Sequence, residues 1–343
     1  MSRIRRARSR AARPWESVAP LLFLFLVGLP GCAPVAPIGP HAIPVPGPVG
    51  PQASAPRPSA PQPAKPAPHA AQSETKRQGA SETLSVAAFN IQVFGRTKRS
   101  KADVMTVLTT VAREVDVLLV QEIRDSSEYT ADFFLEAINK GNDRQYAMYE
   151  GPRLGRTSSK EQYVVYYALD RARLLDAYTL PDPKDEFERE PLVATFRAGN
   201  FDFSVVGCHI KPDDAEQELR ALSRAVDTLL AKNPEERDLI LLGDFNADGS
   251  YLDERRLTEI FPTDQYHIAI PNDVDTMTTS DNTYDRIILR HETVSSEYVK
   301  ASAQVVEFDQ LLKLDDEKFV RSVSDHYPVI ARFRTTSADD DGS

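Results

Sequence analysis

Eight short apolar runs, rich in β-branched residues and each ending among polar groups, restrict the fold of this chain more than anything else in it. They read "LSVAAFNI", "VDVLLVQEI", "QYVVYYAL", "PLVATFRA", "FDFSVVGCHI", "RDLILLGDF", "YDRIILR" and "HYPVIARF". Their length and composition predict strands. Between several of them the spacing turns helical, in "KADVMTVLTTVAREV", "TADFFLEAINK" and "DDAEQELRALSRAVDTLLAK". In the last, Asp213 or Asp214 is the candidate N-cap, and Leu219, Leu222, Val226, Leu229 and Leu230 form the apolar stripe. The mixture predicts an α/β fold. No internal boundary rich in Pro or Gly and no repeat interrupts it, so one domain of roughly 260 residues is expected.

The polar ends of these runs carry the functional signal. In "LILLGDFNADGSY", residues 239 to 251, a buried strand meets Asp, Asn and Asp almost at once. Such acceptors are costly there unless something binds them. Asn90 ends the first run, Gln121 and Glu122 the second, His209 another, and Asp244 with Asn246 follow "LILL"; Asp325-His326 opens the last. Ligand sites in α/β sheets form at strand ends, so the pattern predicts one shared site.

The first eighty residues are of another kind. Met1 to Arg13 carries six Arg and is followed by the apolar run "PLLFLFLVGLPGC", ending at Cys32. A basic stretch, then an apolar run too short to span a bilayer, predicts an export signal over 1–32. Leu29-Pro30-Gly31-Cys32 resembles the bacterial lipobox, which implies lipidation of Cys32, although Pro30 departs from the usual small residue. Residues 33–82 are dominated by Pro, Ala, Gly and Gln and predict a disordered, semi-rigid tether. The expected folded domain is 83–336, followed by an acidic tail, 337–343. From residue 85 onward the chain holds 31 Lys and Arg against 48 Asp and Glu, a formal balance of about −17. Its overall field does not attract a polyanion, so such a substrate must be met locally, by metal ions or a basic patch. Cys208 is the one thiol after Cys32, which excludes an internal disulfide.

Each polar residue has a bland reading beside the functional one. Glu122 could meet solvent at a sheet edge, or supply the carboxylate that a hard cation such as Mg²⁺ requires. Asn90 could cap a turn, or give a neutral oxygen beside a metal. Asp244 and Asn246 stand two apart, so in extended geometry their side chains point the same way. His209 and His326 are two of six histidines, and a lone strand histidine is more often a satisfied core group. With a carboxylate partner each becomes a general acid or base. Asp285, Asp325 and Glu161 are the candidate partners, and any of them could instead be a surface charge.

Together "AAFNIQVFG", "LLVQEIRDS", "GRTSSKEQYVVYY", "DEFEREPLV", "CHIKPDDA", "LLGDFNADGSY", "NTYDRI" and "SDHYPV" resemble the endonuclease/exonuclease/phosphatase family, in its deoxyribonuclease I-like branch. The resemblance implies a four-layer α/β sandwich: two packed β-sheets flanked by helices. It implies Glu122 as the principal ligand of Mg²⁺ or Mn²⁺, with Asn90 beside it and Asp325 completing the metal region. His326, held by Asp285, would activate water, and His209, held by Glu161, would protonate the leaving oxygen. Asp244 and Asn246 would position the phosphate and metal. Arg124 and Arg189 match positions that contact the DNA backbone. Asp185 and Glu190, and Asp275, Thr279 and Asp281, resemble structural Ca²⁺ sites.

The implied activity is extracytoplasmic, metal-dependent hydrolysis of DNA, double-stranded, with little sequence preference. The membrane is met through the lipid anchor alone, outer membrane or cell surface included; no protein partner is implied and a monomer is expected. Three residues depart from the branch. Ser159 stands where an aromatic stacks in the minor groove, Gln92 where an Arg follows Asn-Ile, and Gly249 where a half-cystine is expected. The first two weaken the grip on duplex DNA, and the third leaves calcium or packing to hold its loop. Other readings are a phosphatase or phosphodiesterase of lipid-linked or inositol phosphates on the same machinery, and a non-catalytic binding lipoprotein.

Overall fold

Apolar residues run continuously along the central strands, and both faces of each are buried, which requires two layers of cover. The computed structural model describes residues 82–233 and 237–337, all within one compact unit. The expected leader with Cys32, nearly all of the tether and the acidic tail from residue 338 lie outside the described residues.

The first sheet has six strands in the order β11-β12-β1-β2-β4-β3. They are β1 (Thr83–Phe94), β2 (Val117–Ile123), β3 (Tyr146–Glu150), β4 (Gln162–Ala168), β11 (Gln304–Val305) and β12 (Val329–Arg334). The second sheet, β5-β6-β7-β8-β10-β9, comprises β5 (Arg173–Thr179), β6 (Leu192–Ala198), β7 (Phe201–His209), β8 (Leu239–Asp244), β9 (Tyr266–Ile268) and β10 (Asp285–Arg290). Each sheet contains one parallel pair, β1 with β2 and β7 with β8, while the other pairings are antiparallel. A parallel pair needs a long crossover. α1 (Arg96–Arg99) and α2 (Ala102–Arg113) supply it in the first sheet, and α4 (Ala215–Lys232) in the second. The two sheets therefore share one wiring scheme, a repeat of topology that the amino-acid sequence does not display.

Facing side chains of the two sheets make the inner core. Val86, Ala88, Leu119 and Val165 pack with Phe196, Phe203, Val205, Ile240, Leu242 and Ile287. The alternate residues of the second sheet, Val206, Cys208, Leu241 and Ile288, take the α4 stripe of Leu219, Leu222 and Val226, with Leu229 and Leu230 half-buried at its end. On the first sheet, Phe134 of α3 (Thr130–Asn139) meets Phe94 and Tyr166 edge-on. Helix, sheet, sheet and helix stack as the four-layer α/β sandwich that the resemblance implies. All eight predicted strands and three predicted helices are present. Asp214 precedes α4 but makes no capping hydrogen bond through its side chain. A 3₁₀ turn, Pro212–Asp214, leads into the helix there, and Glu218 instead accepts from the backbone N–H groups of Lys211 and Glu188. No helix among the described residues is long and apolar enough to cross a membrane.

Candidate active site

The carboxyl ends of the two parallel pairs meet, and the candidate catalytic residues stand there. On the second sheet three strands set three side chains at one level. Asp244 is the register partner of His209 on one side and of Asp285 on the other. Gly243 makes this possible: its φ is +137°, and a Cβ there would lie 2.1 Å from the Cys208 carbonyl. Beyond Asp244 the chain leaves the pleat. Asn246 has φ +46°, so the expected extended geometry from Asp244 to Asn246 is not found. Asp244 Oδ1 accepts from the Asn246 N–H at 3.0 Å, and Asn246 Nδ2 donates to the Ile210 carbonyl at 2.8 Å.

Two imidazole–carboxylate pairs bridge the sheets. His209 Nδ1 lies 2.7 Å from Glu161 Oε1, and His326 Nδ1 lies 2.8 Å from Asp285 Oδ2. Glu161 and His326 enter from segments flanking β4 and β12 of the first sheet; His209 and Asp285 belong to the second. Both Nε2 atoms turn toward one oxygen, Asp244 Oδ2, at 3.4 and 3.6 Å. All five side chains are buried. Among the three carboxylates this selects Glu161 and Asp285 as the histidine partners, while Asp325 Oδ1 is 3.8 Å from His326 Nε2.

Burial disfavours both imidazolium ions, yet the carboxylates outweigh it. His326 is raised to about 10 by Asp285, Asp244 and Asp325. His209 is raised by Glu161 and Asp244 against the opposing Arg189. Burial acts on Glu161 too, but His209, Arg189 and Arg124 hold its carboxyl down at about 2. Asp285, wholly buried, is pushed up by burial, opposed by His326, so the two titrate as a unit.

The first sheet delivers its residues differently. Asn90 faces Gln121 and Phe94 faces Ile123, so Ile91, Gln92 and Val93 bulge around the single residue Glu122. A second irregularity on the β4 side leaves Gln121 and Glu122 opposite Tyr163. Glu122 has φ +60° and Val93 φ +50°. Left-handed backbone at such residues costs about 1–3 kcal/mol each and concentrates at functional sites. The bend lets Glu122 Oε2 accept from the Val93 N–H at 2.8 Å while Oε1 accepts from Asn90 Nδ2 at 3.3 Å. Asn90 Nδ2 also donates to Asp244 Oδ2 at 3.0 Å.

The remaining candidates divide. Arg124, about a quarter exposed, reaches Glu122 and Glu161 at 3.2 and 3.1 Å. Arg189 is turned inward: Nε and Nη2 donate to the His209 carbonyl at 3.1 and 2.9 Å, and Nε lies 3.0 Å from Glu161. Its guanidinium thus braces the His209–Glu161 pair, and Arg124 is the cation presented at the rim. Gln92 Nε2 donates to Asp325 Oδ2 at 2.7 Å, and Ser159 Oγ accepts from Arg124 Nη1 at 3.4 Å. The Gly249 loop is tied by hydrogen bonds: Asp248 accepts from the Thr283 N–H at 2.7 Å, and the Asn282 amide and Tyr284 hydroxyl lie against Gly249.

The calcium candidates lie outside the two carboxylate–histidine groups of the site. Asp185 is exposed and paired with Arg156, and Glu190 is half-buried. Asp275 is half-buried, with Thr279 and Asp281 exposed. Among the described residues the groups able to hold a metal are Glu122-Glu161-His209 and Asp244-Asp285-His326, each with ligand atoms within 4.8 Å of one another.

Several supporting residues had no role in the sequence reading. Gln121 Nε2 donates to the Cys208 carbonyl at 2.6 Å, joining the sheets just behind Glu122 and His209. Ser324 Oγ donates to the Asn90 carbonyl at 2.7 Å and accepts from the His326 N–H. The Tyr163 hydroxyl accepts from the His209 N–H, and Thr276 Oγ1 from the Tyr284 and Asp285 N–H groups. Gln121 and Ser324 adjoin singled-out residues, which was the available signal; Tyr163 and Thr276 left none.

Comparison with known proteins agrees with this geometry. The Endonuclease/Exonuclease/phosphatase family matches residues 87–326. The chain belongs to this family. Deoxyribonuclease-1 of Bos taurus is 33% identical over 260 residues, covering 72% of this chain and 91% of the relative. Deoxyribonuclease-1-like 1 of Cricetulus griseus is 34% identical over 261 residues, covering 73% and 84%. A crystal structure of humanized D. rerio TDP2 superposes with a TM-score of 0.55 at 16% identity, over 74% of this chain and all of the other, and shares the fold. Family and relatives support a hydrolytic enzyme of the nuclease or phosphodiesterase type.

A divalent cation, which the family implies, fits the donors present. Asn90 Oδ1 and Asp325 Oδ1 are buried without a hydrogen-bond partner, and the Asn90 amide touches the Glu122 carboxylate. An oxygen-only set of this kind suits Mg²⁺ or Mn²⁺.

Proposed function

We propose that this protein is a divalent-metal-dependent endonuclease that hydrolyses phosphodiester bonds of double-stranded DNA with little sequence preference, outside the cytoplasm. The observation that carries the reading is the convergence of two imidazole–carboxylate pairs on Asp244, opposite Glu122 and Asn90. The deoxyribonuclease-1 relatives support DNA as the polymer.

Hydrolysis needs one proton removed from water and one delivered to the leaving oxygen. Asp285 occupies Nδ1 of His326, leaving Nε2 to accept the proton of the attacking water in the neutral ring, the form that its carboxylate neighbours shift toward alkaline pH. Glu161 likewise occupies Nδ1 of His209 and favours its imidazolium, the form that donates a proton from Nε2 to the leaving oxygen. Asp244 lies between the two Nε2 atoms and keeps both aimed at one reaction centre. With Asn246 it borders the seat of the phosphate. Glu122, Asn90 and Asp325 would hold Mg²⁺ or Mn²⁺, which supplies Lewis-acid stabilisation of charge on the phosphoryl oxygens when bound. Arg124 offers its partly exposed guanidinium to the phosphate backbone, the local cation that an acidic chain requires. Ca²⁺ at Asp185 and Glu190, or at Asp275, Thr279 and Asp281, remains part of the proposal through the resemblance alone. Lipidation at Cys32 would place the domain at a bacterial membrane.

Incubation of the full chain with supercoiled plasmid, Mg²⁺ and Ca²⁺ tests the reading. Nicking is expected, with His326→Ala reducing the rate by about 10²–10⁴. Intact plasmid, or undiminished nicking by the variant, rejects it; RNA and phosphoinositides in parallel tubes show which phosphoester is cleaved instead. Cys32→Ser is expected to move the expressed chain from the membrane to the soluble fraction, and unchanged membrane retention rejects the anchor.

A further inference from the structure

Val93 is an anomaly that the proposed function leaves unused. It sits on the three-residue bulge opposite Glu122, with φ +50°. A β-branched residue is among the poorest choices for left-handed backbone, which glycine or asparagine adopts more readily. The conformation itself has an explanation, because it aims the Val93 N–H at Glu122 Oε2. Any residue would supply that N–H, so the side chain needs another reason. Core packing does not provide one: Val93 is 52% exposed, the highest value among the exposed large apolar side chains described.

Its surroundings are charged. The Glu122 carboxylate lies against its backbone, and the Arg124 guanidinium is 3.2 Å from that carboxylate. An isolated apolar body at such a rim suits a ligand that is anionic at one end and carries apolar surface within a few ångströms of the charge. A nucleotide unit has that form, with the phosphate followed by deoxyribose and base. Gln92, the half-buried member of the bulge, is tied to Asp325, and Ser159 is small and bonded to Arg124. Neither offers apolar surface.

We infer that Val93 is a substrate-contact residue whose side chain packs on the deoxyribose and base next to the scissile phosphate. The inference rests on the DNA-hydrolase reading and adds to it a contact with the nucleoside portion. Removing a half-exposed valine contact weakens binding by about fivefold.

The test compares the full-length wild type with Val93→Gly, Val93→Ile and, as a control for backbone relief away from the site, Lys313→Gly, whose φ is +56° at a helix end. Steady-state cleavage of a duplex oligonucleotide gives kcat and KM separately, and thermal melting reports folding. Val93→Gly is expected to raise KM about fivefold with little loss of kcat, although its melting temperature rises as does that of Lys313→Gly. Val93→Ile is expected to keep the wild-type KM. An unchanged KM for Val93→Gly, or a fall in kcat alone, overturns the contact and leaves Val93 as a holder of Glu122. A wild type that leaves DNA intact overturns the DNA reading itself, an outcome visible before any variant is compared.

Discussion

The two sheets are wired alike and equipped differently. In each, a parallel strand pair joined by a helical crossover brings its carboxyl ends to the site. The second sheet does so within a regular ladder, because His209, Asp244 and Asp285 already share one level and one face. The first sheet cannot. Gln121 and Glu122 are adjacent, and a pleat would send them to opposite faces. Gln121 turns in toward Cys208, so Glu122 reaches the same site only through a bulge and a left-handed residue. The bulge therefore lies on the side that would hold the cation, while the side that handles protons keeps its ladder register and turns left-handed only at Gly243 and, past the strand end, at Asn246.

That division can be broken by experiment. Asp285→Asn is expected to lower kcat by about 10³–10⁴ by releasing the His326 ring from its tautomer; a loss under tenfold in single-turnover cleavage would mean that the His326–Asp285 pair is not part of the proton path.

Glu161 separates the pairs by pH. Its folded-state carboxyl is held at about 2 against an ordinary 4.5, so the stability it contributes is present above pH 4.5 and disappears as pH falls through about 2. For a group so buried this amounts to roughly 3 kcal/mol. Urea titrations of Glu161→Gln and wild type should differ by that amount near pH 6 and converge at the acid end of this window; a constant gap down to pH 2 contradicts the assignment.

Glu122→Gln should raise the Mg²⁺ concentration for half-maximal cleavage by about 10- to 100-fold, whereas Asp244→Asn should lower kcat with a smaller change in that concentration. Equal shifts in the two would show that the cation belongs to both sheets. Gln121→Leu addresses the join between them. It removes the side-chain hydrogen bond to the Cys208 carbonyl and should cost roughly 1 kcal/mol in denaturant unfolding. No measurable change would mean that the inter-sheet bond does not hold the two halves together.

Central strands were legible because burial on both faces leaves continuous apolar runs, as in "LILL" and "FDFSVVGC". The missed elements lie where burial is partial or the element is short. β5 is an edge strand with no buried residue, and β9 and β11 have three and two residues. α5 (Glu254–Ile260), α6 (His291–Ser296), α7 (Phe308–Leu312) and α8 (Glu317–Val323) have five to seven residues each, too few for a periodic stripe. At the site, residue type and strand-end position exposed Asn90, Glu122, His209, Asp244 and His326. The inward turn of Arg189 and the left-handed Asn246 had no local signature, since both answer to groups distant in the chain.

The amino-acid sequence by itself determined the layered α/β architecture and the collection of polar residues at strand ends, because alternation and run length are local consequences of burial. Which carboxylate holds which histidine, which arginine faces outward, and the bulge that re-aims Glu122 were decided by the tertiary structure. Each depends on the spacing and register of strands that bring together residues tens of positions apart, and no local pattern records that distance.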